Sequence, residues 1–325
     1  MLFRSAMKDS IWKVANKSLR PGADMKAFLD GQLKFVKRVS GDASAVAKAA
    51  QIPANGFVGS NIYSLLHDQY NITTIGSADK IDFSDLNRVD NLLKDLRPDV
   101  VINCLTYGQK QTNGDMALEV AKNTAMFYNF LHCQNSFAQY INIGSGAEFD
   151  RTKNIDLALE LDIHKVMPTD SYGFAKNLIA RAIQTVGEKF ITLRLFGCFG
   201  KNEWSSRFLK RFCSAGDKFV IDNDRYFDYI SVDDFVAIIK FTIDNRITGH
   251  DLNCVYDEKL KLSEILEMFC SIHGIDKTYT VGNTSQFHYT ANNQRLNYYK
   301  DQIDLKGLSQ GLKNYLRSEE HTSEL

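Results

Sequence analysis

The sequence predicts an α/β chain, a doubly wound parallel sheet followed by a smaller C-terminal α/β lobe. Three observations carry this reading. Strand-like and helical segments alternate from Asn55 onward. The run PDVVINCL, around Pro98, is short and continuously apolar, as a strand buried on both faces must be. At 325 residues, 44% of them hydrophobic, the chain can also fill one large domain or two fused lobes.

Taken in order, the elements begin with an ambiguous stretch. In GADMKAFLDGQLKFVKRV, Met25, Phe28, Leu29 and Leu33 fall near helical spacing, which predicts an amphipathic helix. SAVAKAAQI is a poor match for the apolar first strand that such a sheet needs. We therefore expect that strand to be missing, lost to a frameshift or a chimeric join near residue 52. NGFVGSNIYSLL reads as a glycine turn opening a helix, NITTIGS as a strand and LNRVDNLLKDL as a helix. After the PDVVINCL strand come the helix MALEVAKNTAMFYNFLHCQ, the strand QYINIGSGA, the helix SYGFAKNLIARAIQTVGEK and the strand FITLRLFGCFG. The remainder (FLKRF, KFVI, FDYISV, DDFVAIIKFTI, LSEILEMFCSI) mixes short strands and helices. No internal repeat breaks the pattern.

Composition narrows the partners. Lys plus Arg and Asp plus Glu both number 39, so no net field draws the chain to nucleic acid or to a membrane surface. No apolar run approaches the roughly 18 residues of a transmembrane helix, and the N-terminus lacks the apolar core of a signal peptide. Cys104, Cys133, Cys198, Cys213, Cys254 and Cys270 are scattered, with no C-x-x-C pair. They read as reduced thiols of a cytoplasmic protein without a metal site. The closing RSEEHTSEL and opening MLFRS resemble the two readings of one sequencing-library adapter. Residues 1–5 and 317–325 are accordingly set aside, and the natural end near Leu316 is expected to be truncated.

Gly56 and Gly59 in PANGFVG stand just before an apolar helical run. Glycines at such a turn let the backbone of Gly56, Phe57, Val58 and Gly59 approach a pyrophosphate, which rests on the helix N-terminus. In a G-x-x-G-x-x-G turn the first position here is Pro53, which has no N–H and cannot take a positive φ. Two glycines three apart also fit an ordinary helix-entry turn. The second strand ends Ile75-Gly76-Ser77, with neither the acid that favours NAD nor the base that favours NADP, so both cofactors stay open. Asp82 is either a ligand of the adenine edge or a solvated loop aspartate.

The strongest signal is Tyr172 and Lys176 in DSYGFAKN, with Ser145 ending the strand QYINIGSG 27 residues upstream (172 minus 145). Positions i and i+4 share a helix face. A cation there favours the phenolate, so the phenol can give or take the proton of a hydroxyl. Ser145, at the carboxyl end of a buried strand, sits where ligands bind in an open α/β sheet and can hold the same oxygen. Y-x-x-x-K alone is usually a solvated helix face; the serine, the alternation and the glycine turn together make the functional reading the stronger.

With these residues in place the chain, over roughly Ala54 to Leu316, resembles the extended short-chain dehydrogenases/reductases, the NAD-dependent epimerase/dehydratase family of nucleotide sugars. The resemblance implies a Rossmann-type sheet that binds NAD or NADP, with Lys176 also reaching the nicotinamide ribose. It implies a dinucleotide-binding core over 53–200 and a mainly substrate-binding lobe over 201–316, which leaves 1–52 as a non-family or artefactual segment and 317–325 as the adapter-derived tail. Cys104 and Leu105, at the end of PDVVINCL, are implied to line the cofactor cleft, and Asn123 to support the active-site backbone. RLFGCFG places Gly197 where the family carries asparagine, and FDYISVDDF places Phe227 where a phosphate-binding arginine commonly stands. Arg225 and Arg207, with Lys210, are the implied substitutes, unless each is plain surface charge. Gly146 and Gly197 complete the implied substrate contacts.

The resemblance also limits the reaction. Family dehydratases carry an Asp-Glu pair right after the catalytic hydroxyl residue, whereas Ser145 is followed by Gly146 and Ala147, with Glu148 one place late. Relatives that epimerise at two carbons carry a cysteine two residues after the serine, and here that residue is Ala147. What remains is reversible hydride transfer at one sugar carbon, as in a 4-epimerase or 4-ketoreductase, and a homodimer is among the expected partners. The competing class is a non-catalytic or impaired dinucleotide-binding protein, a redox sensor or scaffold. A ketoreductase of the smaller type is disfavoured by the long C-terminal lobe.

Overall fold

Six strands lie side by side, all parallel, in the computed structural model, which describes residues 48–52, 56–76, 79, 81–108, 113–216, 218–284 and 287–320. From one edge they run β2 (Asn71–Thr74), β1 (Lys48–Ile52), β3 (Val100–Asn103), β4 (Gln139–Ser145), β6 (Phe190–Leu195) and β10 (Leu252–Cys254). The first strand, expected to be missing, is therefore present. KAAQI pairs in register with Asn71–Thr74 on one side and with residues 100–103 on the other. The expectation erred because a strand with two partners is held by main-chain hydrogen bonds on both edges, which ask little of its side chains. Ala49, 2% exposed, packs with Ile62, Leu66 and Tyr70. The sheet thus begins five residues before the expected boundary at residue 53. Pro53 and the proposed helix around Met25–Leu33 lie outside the described residues.

Strand residues alternate between two cores, as the period of two requires. Val100, Ile102, Ile141 and Ile143 face one cluster, beneath α1 (Phe57–Leu66) and α6 (Val232–Asp244). Val101 and Tyr140 face the other, beneath α2 (Leu86–Leu96), α3 (Met116–His132) and α4 (Ser171–Val186). Three of these helices start at an aspartate cap. Asp85 accepts from Asn87 N and Arg88 N, Asp115 from Leu118 N and Asp170 from Gly173 N. α2 stops where Arg97 turns left-handed (φ 46°), one residue before Pro98.

A third core gathers Phe212, Phe219, Phe269, Leu312 and Tyr315 from α5 (Phe208–Ser214), β8 (Phe219–Asp224), α7 (Leu262–His273) and α9 (Gly307–Glu320). β8 pairs with β11 (Tyr279–Thr284), β7 (Gly197–Phe199) with β9 (Tyr229–Ser231), and β5 (Ile155–Ala158) with β12 (Tyr289–Ala291). The short α8 (Gln294–Asn297) follows β12. A cut at residue 200 does not separate the lobes cleanly. α6 and β10 return to the main sheet, while β5, from the first half, pairs into the second. α9 continues to Glu320, through polar residues in which no helical period was expected. No helix among the described residues is long and apolar enough to cross a membrane.

Candidate active site

The strand order reverses at β1, which neighbours both β2 and β3. The crevice outside the carboxyl ends of these strands is where an open α/β sheet receives ligands. The amino end of α1, Cys104 after β3 and Ser145 at the end of β4 all lie at this end of the sheet. Gly56 caps α1 without any side-chain hydrogen bond, and a Cβ built there meets nothing within 4 Å among the described residues. A backbone free of side chains at the amino end of a helix suits the diphosphate of a dinucleotide. Phe57 and Gly59 are buried and Val58 half-buried. Beyond β3, Asn123 accepts from Tyr107 N (3.0 Å) and donates to Tyr107 O and Glu119 O (2.8 Å each), and Leu105 N donates to Asn103 (3.0 Å). The loop from Cys104 to Tyr107 is thereby fixed at the crevice.

Two acids follow β2. Asp82 accepts from Ser84 Oγ (2.5 Å) and Lys122 Nζ (3.0 Å), and the Ser84 bond leads the effects that hold its carboxyl below the usual range. Asp79, passed over in the sequence because it lies beyond the strand end, folds back so that its carboxylate accepts from Gly76 N at 2.7 Å. It brings an acid to the end of β2.

Ser145 and Tyr172 are both half-buried. Tyr289, on β12, holds its hydroxyl over Gly146, the residue after Ser145. Lys176 is 5% exposed and donates to Ile143 O at 2.8 Å, two residues before Ser145 on the same strand. Its charge is felt at Cys104, whose thiol burial nonetheless pushes up to about 12. Arg151 lies 5.8 Å over the Tyr172 ring and pairs with the Asp170 cap at 3.0 Å. Neither Arg151 nor Tyr289 was anticipated, and no short-range motif joins them to the Tyr172 helix.

Glu148 turns away from this point. Its carboxylate accepts from Ser145 N (2.8 Å) and pairs with Arg194 (2.5 Å), both side chains fully buried. Arg194 also binds Asp251 (2.8 Å) and Asn253 (2.9 Å). Burial lifts the Glu148 carboxyl above its usual range against the pull of Arg194. Burial works against the Arg194 charge, but the two carboxylates outweigh it and hold the guanidinium above its usual range.

Gly146 and Gly197 both stand where a side chain would have no room. A Cβ on Gly146 would lie 2.5 Å from the Tyr289 hydroxyl, and one on Gly197 would lie 2.4 Å from the Phe227 ring. The two departures from the family pattern, Gly197 and Phe227, therefore fit one another. Phe227 stacks on Tyr289 (centroids 5.1 Å, 30°), and Arg225 lies 5.5 Å over Phe227 and 5.8 Å over Tyr289. Arg225 also lines a cavity of about 390 Å³ with Phe208, Arg211, Phe219 and Phe287. Arg207 goes elsewhere. It pairs with Glu203 (3.1 Å), donates to Cys198 O (2.7 Å) and lies 5.5 Å over Phe57, on the side of the glycine turn.

A parallel sheet with its crevice at the switch point, and a strand-end serine beside a helical tyrosine and lysine, define the class. The NAD dependent epimerase/dehydratase family matches residues 54–254, and the chain belongs to that family. No curated protein matches the chain. Among solved structures, a GDP-L-fucose synthetase from Naegleria fowleri shares the fold at TM-score 0.71 and 13% identity, covering 86% of this chain and 94% of its own. A dTDP-4-dehydrorhamnose reductase from Clostridium acetobutylicum does so at 0.70 and 18%, covering 83% and 98%. WbmH from Bordetella bronchiseptica, solved with NAD+, does so at 0.70 and 15%, covering 85% and 99%.

Proposed function

We propose that this protein is an NAD(P)-dependent 4-epimerase or 4-ketoreductase of a nucleotide-activated sugar, working in the reducing cytoplasm. The observation that carries the reading is the buried Lys176 ammonium, which donates to Ile143 O at 2.8 Å and so seats the helix of Tyr172 against the strand that ends at Ser145. Gly56, Phe57, Val58 and Gly59 would hold the dinucleotide phosphates, with Cys104, Leu105 and the Asn123-braced loop beside them. When bound, the nicotinamide supplies or accepts the hydride. Tyr172 passes the proton of the sugar oxygen, and Ser145 holds that oxygen by hydrogen bond. Lys176 sets a fixed positive charge one turn from the phenol, where negative charge develops as the proton leaves.

The inward turn of Glu148 supports this choice over dehydration, because no acid follows Ser145 with its carboxyl free to protonate a leaving hydroxyl. The aromatic cavity carrying Arg211 and Arg225 supports a nucleotide diphosphate at the far end of the substrate. A homodimer belongs to the same reading, since Leu118 and Tyr128 leave one stripe of α3 exposed. Thermal-shift titration with NAD, NADP and a panel of GDP-, UDP-, dTDP- and CDP-sugars tests the proposal. We expect one dinucleotide to raise the melting temperature and one nucleotide class to raise it further. Failure of every sugar nucleotide in the presence of either dinucleotide would count against it.

A further inference from the structure

Glu119 lies in the first turn of α3 with 2% of its surface exposed, and no cation among the described residues pairs with it. A buried carboxylate without a counter-charge is costly, so its surroundings must hold it. Its Oε2 accepts from Ser171 Oγ at 2.5 Å, and Ser171, 4% exposed, is the first residue of α4. The acid thus lies at the amino ends of two helices, its own and that of Tyr172, where the helix dipoles favour negative charge.

The same residue reaches the cofactor side. Its carbonyl accepts from Asn123 Nδ2 (2.8 Å), and the Asn123 side chain braces Tyr107 through both N–H and carbonyl. Glu119 therefore connects the loop after β3 to the helix that carries Tyr172 and Lys176. The other contacts of that first turn are local or exposed. Asp170 accepts from Gly173 N (2.9 Å) and pairs with the half-exposed Arg151. Apolar side chains at 119 and 171 would fill this space without burying a charge. A hydrogen bond adds direction that apolar contact lacks, and Tyr172 follows Ser171 in the chain, so the phenol moves with it.

We infer that Glu119 is a positioning residue of this site. Through the Ser171 hydroxyl it sets where the first turn of α4, and with it the Tyr172 phenol, stands relative to the dinucleotide loop. The inference rests on the Ser145-Tyr172-Lys176 reading.

Combining Ser171→Ala with Glu119→Met removes both partners and orphans neither, so this double variant should melt close to the wild type. Turnover of a 4-keto nucleotide sugar with NADH or NADPH should still fall about ten- to hundredfold, the scale of a slightly displaced reacting group. The loss should lie in kcat, with KM and dinucleotide affinity near those of the wild type. Glu119→Gln keeps an oxygen of the same reach for the Ser171 hydroxyl and should hold kcat within about threefold of the wild type. Wild-type kcat in the double variant overturns the inference, as does a kcat in Glu119→Gln no better than in the double variant. A second arm needs no substrate and decides the matter should the double variant not fold. The N–H groups of Gly173 and Phe174 bond to Asp170. Their exchange with deuterium should quicken about tenfold in Ser171→Ala, the scale of one lost hydrogen bond, and stay as in the wild type in Glu119→Gln. Equal exchange in all three proteins overturns the inference. Tyr172→Phe is measured alongside. If that variant loses turnover while the double variant does not, only the role of Glu119 falls. If Tyr172→Phe keeps wild-type turnover, the site reading itself falls, and this inference with it.

Discussion

Ser145, Tyr172 and Lys176 were legible in the sequence because each belongs to a fixed local geometry. The serine ends a strand, and the other two lie one helical turn apart. Tyr289, Arg151 and Asp79 were not legible, because their places depend on how distant segments or a loop fold back. Asp79 carries a prediction at this scale. It lies 23 residues after Gly56 (79 minus 56) and is held by Gly76 N at the end of β2. That is the neighbourhood in which an acid hydrogen-bonds the adenosine ribose and repels a 2′-phosphate. Isothermal titration should therefore find NAD bound at least about tenfold more tightly than NADP, as one well-placed charged contact allows. Asp79→Ala should narrow the gap, and equal affinities in the wild type would remove the role.

At the scale of elements, the helices α1 to α4 and the apolar strands were read correctly, whereas β1 was not. KAAQI carries a weak hydrophobic signal, yet an interior position in the sheet supplies partners on both sides. β10 was equally hard to read, since its three residues draw their meaning from β6. The joint among β4, β6 and β10 is sealed by Arg194, which binds Glu148 beyond β4 and Asp251 beside β10. Removing one partner of a buried ion pair costs about 3–5 kcal/mol, because the remaining charges stay buried. Arg194→Met, similar in length, should lower the urea unfolding free energy by about that much. Loss of less than about 1 kcal/mol, the scale of an exposed pair, would mean that the network does not hold these strands together.

The whole molecule joins a sheet and a lobe by passing the chain between them several times, and its stability should respond to pH accordingly. His250, buried just before β10, shares hydrogen bonds with Thr248 O (3.0 Å) and the Tyr299 hydroxyl (3.4 Å). Burial first, and Arg295 second, pull its pKa from 6.5 down to about 3. Between those values the folded state binds fewer protons than the unfolded one. The stability this ring contributes is therefore complete above pH 6.5 and lost as pH falls through the window. His250→Gln should flatten the acid limb by up to about 1.4 kcal/mol per pH unit, read from urea unfolding at pH 4 to 7. An unchanged slope would place the acid sensitivity elsewhere. The account as a whole stands on Tyr172 as the group that moves the proton. Tyr172→Phe removes one hydroxyl and leaves the ring beneath Arg151. With a 4-keto nucleotide sugar and a saturating dinucleotide, kcat should drop by about 10²- to 10⁴-fold, the usual contribution of a positioned acid or base, while substrate affinity stays near that of the wild type. Wild-type turnover in Tyr172→Phe would contradict the account.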